Sequence, residues 1–392
     1  MNEMTRKKGK GNAAACRAGI STVPAAFSFL TLDFSFSLRV SVLKSLICFV
    51  CITVVAFGSE SFKQAIEPRA LAFPQDHGSH AGFQTEWWYF TGNLRDKAGQ
   101  EFGYQFTIFR RAMDPADTHA RERKSAWAIS DIYIGHLAIS DIGAKQFYFK
   151  EEVCRGVLDV AGATEAAAQP GDKSVPATVR VWLGSWELLR TDNGWTMKAA
   201  SGDIAIDFVL NETVPPVAHG RPGEEGLSRK GPLPGQASYY YSLPHIKTNG
   251  KLRIGSNSFD VSGVSWMDHE FGSNQLSQEQ AGWDWFSLQL DDGSAVMLYL
   301  LRRRDGALEP SSSGTFIDKT GKGTFLPLSE IKFTRGRSWK SPFSGGEYTL
   351  QWQIELPSLN VSLSVDAAQD DQEVKSAKIS RISYYEGAVR VK

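Results

Sequence analysis

From about residue 83 onward, apolar residues of this chain recur at every second position. Phe102, Tyr104, Phe106 and Ile108 alternate with Glu101, Gly103, Gln105 and Thr107, the pattern of a strand with one buried face. Tyr348, Leu350, Trp352, Ile354 and Leu356 repeat it, and after Pro357-Ser358 it resumes at Leu359, Val361, Leu363 and Val365. Turn signals sit at hairpin spacing: Asp96-Lys97-Ala98-Gly99, Asn193-Gly194, Asn249-Gly250 and Asp292-Gly293. Each can supply the positive φ that a tight turn demands. No long, capped run of 3.6-residue period follows residue 60. The body is therefore expected to be all-β, built from many short antiparallel strands in barrels or sandwiches.

At 392 residues the chain is long enough for two cores. Residues 214–236 hold Pro215, Pro216, Pro222, Pro232 and Pro234 among glycines, so they cannot donate continuously to a ladder and mark a crossing between β units. The expected division is an N-terminal extension over 1–58, one domain over 59–240 and a second over 241–392. The Ala/Gly/Pro-rich stretch 161–176 reads as a surface loop. Trp87, Phe90, Leu94 and Asp96 fall into step with Trp283, Phe286, Leu290 and Asp292. That spacing fits either a duplicated barrel or shared hairpin grammar.

The run from Leu46 to Phe57 is about 12 residues long, shorter than the roughly 20 that span a bilayer as a helix, and it follows Arg39 and Lys44. It matches the apolar region of a secretory signal cleaved after Gly58, with translation starting near Val40 or Val42. The chain is thus expected to be exported, or tethered to a membrane if the signal stays uncleaved. Cys16, Cys48 and Cys51 precede that cleavage site, which leaves Cys154 without an intramolecular partner.

Seven basic residues lie within 1–58, leaving 36 positive and 41 negative charges over 59–392. Phosphate binding needs a clustered basic face, so a nucleic-acid partner is not expected. The 11 Trp, 11 Tyr and 23 Phe fill cores and equally line sites for a small apolar ligand. Association with a membrane surface fits such a ligand.

Several catalytic classes lack their signatures. Gly263-Val264-Ser265-Trp266-Met267 resembles a nucleophile elbow except at its last position, where methionine replaces glycine. There is no His-Glu-x-x-His, and His77-x-x-His80 is a poor zinc pair with no third ligand nearby in sequence, so no metal or cofactor is expected. What remains is Asp268-His269-Glu270, set between Trp266 and Phe271. A carboxyl held against ring faces is desolvated and stays protonated near neutral pH, ready to donate its proton, while the surrounding π faces stabilise a cation. The same residues could instead brace a turn ahead of Gly272. Glu86-Trp87-Trp88-Tyr89 pairs a lone carboxylate with the most aromatic run of the chain, and Trp283 and Trp285 open another aromatic strand. These join the candidate substrate-binding set, although Glu86 equally suits a structural bond to backbone or arginine. His136, inside Ile134-Gly135-His136-Leu137-Ala138, reads as a satisfied core histidine.

Taken in order, HAGFQTEWWYFTG (80–92), residues 102–111, GLSRKGPLPGQASYYYSLP (226–244), GVSWMDHEFGSNQL (263–276) and residues 283–304 resemble the AttH and hydroxyneurosporene synthase (carotenoid 1,2-hydratase) family of secreted proteins. The resemblance implies two lipocalin-like β-barrels in tandem. In the hydratase branch an acid protonates a carbon–carbon double bond of an acyclic carotenoid, and water captures the tertiary cation. There the acid follows an aromatic residue by two positions. That pattern falls on Trp266-Met267-Asp268, so the resemblance implies Asp268 as proton donor, with Trp266 and Tyr241 as cation stabilisers. The expected function is a lyase or hydrolase acting on a carotenoid, isoprenoid or acyl substrate; the alternative is a non-catalytic carrier using the barrel mouths as cups.

Overall fold

The computed structural model describes residues 61–115, 128–166, 178–274, 276–376 and 383–392, together with the backbone of 16–24. The apolar run 46–57 and its cleavage site lie outside these residues. Among the described residues, all regular structure beyond three short 3-10 turns is β, as the alternation requires.

Two curled antiparallel sheets carry the fold. The first comprises β2 (Thr85–Asp96), β3 (Glu101–Ala112), β4 (Asp131–Asp141), β5 (Gln146–Arg155), β6 (Ala161–Ala163), β7 (Val179–Leu183), β8 (Trp186–Thr191), β9 (Gly194–Ser201), β10 (Ile204–Glu212), β11 (Val217–Ala218), β12 (Leu227–Arg229), β13 (Ala237–Ile254) and β14 (Asn257–Gly272). Its main path runs β5-β4-β3-β2-β14-β13-β10-β9-β8-β7-β6 and nearly closes into a barrel.

The second sheet contains β1 (Cys16–Pro24), β15 (Gln280–Gln289), β16 (Ala295–Arg303), β17 (Ser313–Ile317), β18 (Gly323–Pro327), β19 (Lys332–Arg335), β22 (Gln351–Leu356), β23 (Val361–Ala367), β24 (Glu373–Lys375) and β25 (Ser383–Val391). It forms a half-barrel, with β20 (Ser338–Lys340) and β21 (Glu347–Thr349) as a separate hairpin. These are the lipocalin-like barrels expected from the sequence.

Two boundaries differ from the sequence reading. The long strands β13 and β14 complete the first sheet through β10 and β2, so the chain crosses to the second sheet after Gly272 and not at residue 240. The Pro-rich stretch is a detour within the first barrel, whose β11 and β12 both pair back onto β13. Ala161–Ala163 also pairs as β6 with β7 where a loop was expected, because small side chains let an edge strand form; residues 167–177 lie outside the described set. The backbone of Cys16–Pro24 pairs with β15 on one side and β25 on the other, a segment that a translation start near Val40 would omit.

The interior of the first barrel is filled. Trp88, Phe90, Phe106, Trp186, Trp195 and Phe208 are essentially solvent-free there. Phe286, Leu298 and Trp352 belong to a separate core in the second sheet. Between the two lies a third apolar cluster around Tyr89, Tyr240, Trp266, Trp285 and Met297, where the outer faces of the sheets meet. The weak repeat acquires a structural counterpart: Phe90 and Phe286 face their own cores, while Trp87 and Trp283 pack at this seam.

Candidate active site at the seam between the barrels

Successive side chains on a strand point to opposite faces, so three consecutive residues cannot share one site. On β14, Trp266 joins the seam cluster and Met267 the barrel core. Asp268 and Glu270 follow Trp266 to the seam, whereas His269 and Phe271 face inward. The expected Asp268-His269-Glu270 constellation is therefore divided, with His269 on the far side of the sheet. The same pleat separates Trp87 and Tyr89, on the seam face, from Glu86 and Trp88 inside. It also sends Tyr241 inward, and Tyr240 takes the place beside Asp268 expected for it.

Asp268 stands opposite Ser242 on β13 and Tyr89 on β2. It is 4% exposed, with no arginine paired to it among the described residues. Trp266 donates its indole N–H to Asp268 Oδ1 at 2.7 Å, and the Ser242 hydroxyl donates to the same oxygen. Burial pushes this carboxyl up to about 7, although the hydrogen bonds from Ser242, Trp266 and Tyr240 favour its ionised form; the Glu270 charge raises it further. An acid near neutrality holds its proton at physiological pH and can give it up.

The surroundings join π surface to fixed dipoles. Trp285 donates to the Tyr240 hydroxyl at 3.1 Å, and its ring meets Tyr89 edge-on at a centroid distance of 5.3 Å. Tyr89 donates to Glu386 Oε2 at 2.9 Å, which ties the first barrel to β25. Glu270 is neutralised by Lys230, whose Nζ lies 3.1 Å away and 4.0 Å from the Tyr299 ring centroid. On the other side His219 Nε2 lies 2.6 Å from Ser242 Oγ and its Nδ1 2.9 Å from Thr315 Oγ1. Burial, aided by the Lys230 charge, pulls that imidazole down to about 3, so it is neutral. Trp87 and Trp283 pack only partly buried against this cluster.

The inward residues form a different cluster. Glu86 Oε1 lies 2.7 Å from His80 Nδ1 and 2.8 Å from His269 Nε2, and Arg110 reaches Glu86 Oε2 at 3.1 Å. His80 Nε2 meets Asp76 at 2.9 Å, Arg69 meets Asp76 at 2.5 Å, and Tyr241 bridges His77 and His269. Burial alone would raise the Glu86 carboxyl, but His80 and His269 overcompensate and hold it far below the usual range. His80, Glu86 and His269 offer donor atoms within 4.8 Å of one another, close enough for a metal ion. Here the imidazole nitrogens already bond Glu86, and the adjacent arginine repels a cation. The arrangement suits a hydrogen-bonded chain through Arg69, Asp76, His80, Glu86 and Arg110 that locks residues 69–80 onto the barrel end. His77 and His80 engage different partners.

Sequence reasoning missed His219, Ser242, Tyr240, Lys230 and Glu386 as neighbours of Asp268. Tyr240 and Ser242 carried a signal, since each shares a face with its i+2 neighbour, but only the register of β13 against β14 selects that face. Nothing local could have found Glu386 or Thr315, which come from the other sheet.

Comparison with known proteins completes the picture. A family model described as AttH-like matches residues 64–392. The dehydratase asqC of Emericella nidulans is 22% identical over 228 residues, which is 55% of this chain and 62% of that protein, under two thirds of the relative's length. The solved structure of an AttH protein from Nitrosomonas europaea superposes with a TM-score of 0.71 at 28% identity, covering 84% of this chain and 99% of the other. Kievitone hydratase from Nectria haematococca does so with a TM-score of 0.55 at 13% identity, covering 84% and 97%.

Proposed function

The chain belongs to the AttH-like family, and on that premise we propose that it is a hydro-lyase in which Asp268 is the proton donor to an apolar unsaturated substrate bound at the seam. The carrying observation is a carboxyl raised to about 7 beneath indole and phenol rings, with three donors aimed at it. In the hydration direction Asp268 transfers its carboxyl proton to an alkene carbon, leaving the adjacent carbon cationic. The faces of Trp266, Trp285 and Tyr240 stabilise that cation, and Ser242, Trp266 and Tyr240 stabilise the carboxylate. Water adds to the cation, and the proton it sheds returns to Asp268. Dehydration runs the same steps backwards, the reaction class in the name of the Emericella relative.

An acyclic carotenoid or other isoprenoid is the substrate we propose, because such a molecule yields a tertiary cation and offers little else to grip. On this reading the protein is exported and meets its substrate at a membrane surface. The carrier alternative requires a cup, and the interior of the first barrel is packed with aromatic side chains.

The test is incubation with lycopene in detergent micelles in ¹⁸O-labelled water, followed by mass spectrometry. The expected product is an alcohol carrying the label, lost in Asp268→Asn. Label incorporation that survives this substitution would overturn the assignment.

A further inference from the structure

Among the described residues β15 and β25 do not pair with each other; β1 runs between them, antiparallel to both. It sets residues 17–24 against 282–289 of β15 and residues 16–22 against 385–391 of β25. Both partners follow the first barrel in the chain, whereas β1 precedes it. Without β1 the second sheet separates into β18-β17-β16-β15 and β25-β23-β22-β19, whose facing edges stand two strand spacings apart, about 9.6 Å. Backbone groups cannot hydrogen-bond across that gap, and each edge would present a row of unpaired N–H and C=O groups.

The gap would open in the seam itself. Position 21 lies directly opposite Trp285 on one side and Glu386 on the other. Residues opposite each other on adjacent strands share a face, so Trp285, Ser21 and Glu386 form one row on the side of the sheet that meets the first barrel. Trp285 donates to the Tyr240 hydroxyl and Glu386 accepts from Tyr89, the two phenols beside Asp268. The next row on this face holds Ser287, Gly19 and Ala388, and Ala388 abuts Gly103 of the first barrel. The backbone of β1 also runs close to β2, the strand of Tyr89. One inserted strand thus sets the separation of the two that complete the site.

The segment CRAGISTVP suits this place. Ile20 and Thr22 are β-branched, and no proline interrupts residues 16–23. Pro24, which has no N–H to give a ladder, stands at the end, past the last residue paired with β25. Gly19 and Ser21 put small residues in the two rows that face the first barrel.

We propose that the slot between β15 and β25 is a strand-acceptor site, that residues 16–24 of this same chain are its occupant, and that filling it assembles the seam around Asp268. Main-chain hydrogen bonds supply the affinity, and small residues at positions 19 and 21 supply the fit. Only the last clause rests on the seam being the active site; the pairing stands apart from it. Cleavage after Gly58 would leave the slot empty, so a working seam belongs to the chain that keeps residues 16–24.

The experiment is amide hydrogen exchange on the full chain, read by mass spectrometry, with Ile20→Pro as the variant. In the wild type, residues 16–24 should exchange at least about a hundredfold more slowly than in the free nonapeptide. Proline at position 20 removes a ladder donor from the middle of the strand. Protection over 282–289 and 385–391 should then fall by at least about tenfold, while β3 and β4 keep theirs. An excess of the wild-type nonapeptide, kept reduced, should restore it. The infrared carboxyl band of Asp268 should titrate about one pH unit lower in Ile20→Pro, as water reaches the seam, and return with the peptide.

Free-peptide exchange rates over 16–24 in the wild type overturn the inference even if the variant does not fold. Unchanged protection of β15 and β25 in the variant also overturns it, as does a peptide without effect. Wild-type protection of 16–24 that vanishes on dilution assigns the slot to a second copy and overturns the pairing within one chain. Lost protection with an unmoved Asp268 titration overturns the link to the seam. If Asp268 does not titrate near 7 in the wild type, the proton-donor reading fails instead, and exchange still decides whether the strand fills the slot.

Discussion

Trp266 donates its indole N–H to Asp268 Oδ1 at 2.7 Å from two positions earlier on the same strand. Residues two apart on a strand share a face, so the aromatic and the acid are presented together whatever the rest of the fold does. The bond opposes the desolvation that raises Asp268 and sets how acidic the carboxyl can be.

Replacing Trp266 with Phe keeps most of the ring and removes that donor. The ionised form of Asp268 loses support, and its pKa should rise by roughly one unit, equivalent to about 1.4 kcal/mol. Infrared difference spectroscopy of the protonated carboxyl band, identified by its absence in Asp268→Asn, follows this titration without substrate. An unchanged midpoint would show that the indole contributes nothing to the acid.

Asp268 should also impose a pH-dependent cost on folding. Its folded value of about 7 lies above the ordinary aspartate value of 3.8, so its contribution favours the folded state at acid pH and is lost as pH rises from about 4 to 7. Asp268→Asn, which never ionises, should therefore gain stability relative to wild type over that window, by up to about 4 kcal/mol on the pKa difference. Urea unfolding of both proteins at pH 4.5 and pH 8 checks the sign. A difference independent of pH would contradict a buried, neutral carboxyl.

Glu86 should behave in the opposite sense. Its folded pKa lies below the unfolded value, so the stabilisation is present above about pH 4.5 and disappears as pH falls. Glu86→Gln strands Arg110 and His80 without their shared partner and should destabilise the protein by about 3–5 kcal/mol at pH 7. Denaturant titration at neutral pH gives the magnitude, and repetition near pH 4 should show a smaller gap between the two proteins.

Gly103 lets the barrels approach each other. A Cβ there would lie 2.6 Å from the Ala388 Cβ on β25, closer than two carbons tolerate. Gly103→Ala should cost about 1–3 kcal/mol, and adding Ala388→Gly should recover most of it. Thermal unfolding of the two single variants and the double variant provides the cycle; additive losses would place the strain elsewhere.

By itself the sequence determined that the chain is all-β, because alternation with period two is a local property that survives any arrangement of the strands. It also presented Trp266 with Asp268, and Trp87 with Tyr89, since i and i+2 share a face by the geometry of the pleat. Its misreadings came from treating neighbours in sequence as neighbours in space: Asp268, His269 and Glu270 are divided by the same pleat, and Tyr241 lies behind the sheet from the acid it was expected to serve. The tertiary structure alone decided which face each set occupies and what meets it there. Register brought Ser242, Asp268, Tyr89, Thr107, His136 and Glu151 into one line from strands as far apart in the chain as those of Tyr89 and Asp268. Packing of the second sheet then delivered Glu386 and Tyr384 to that line. Desolvation is a property of the whole surroundings, so the neutral acid at Asp268 exists only once both barrels have closed over it.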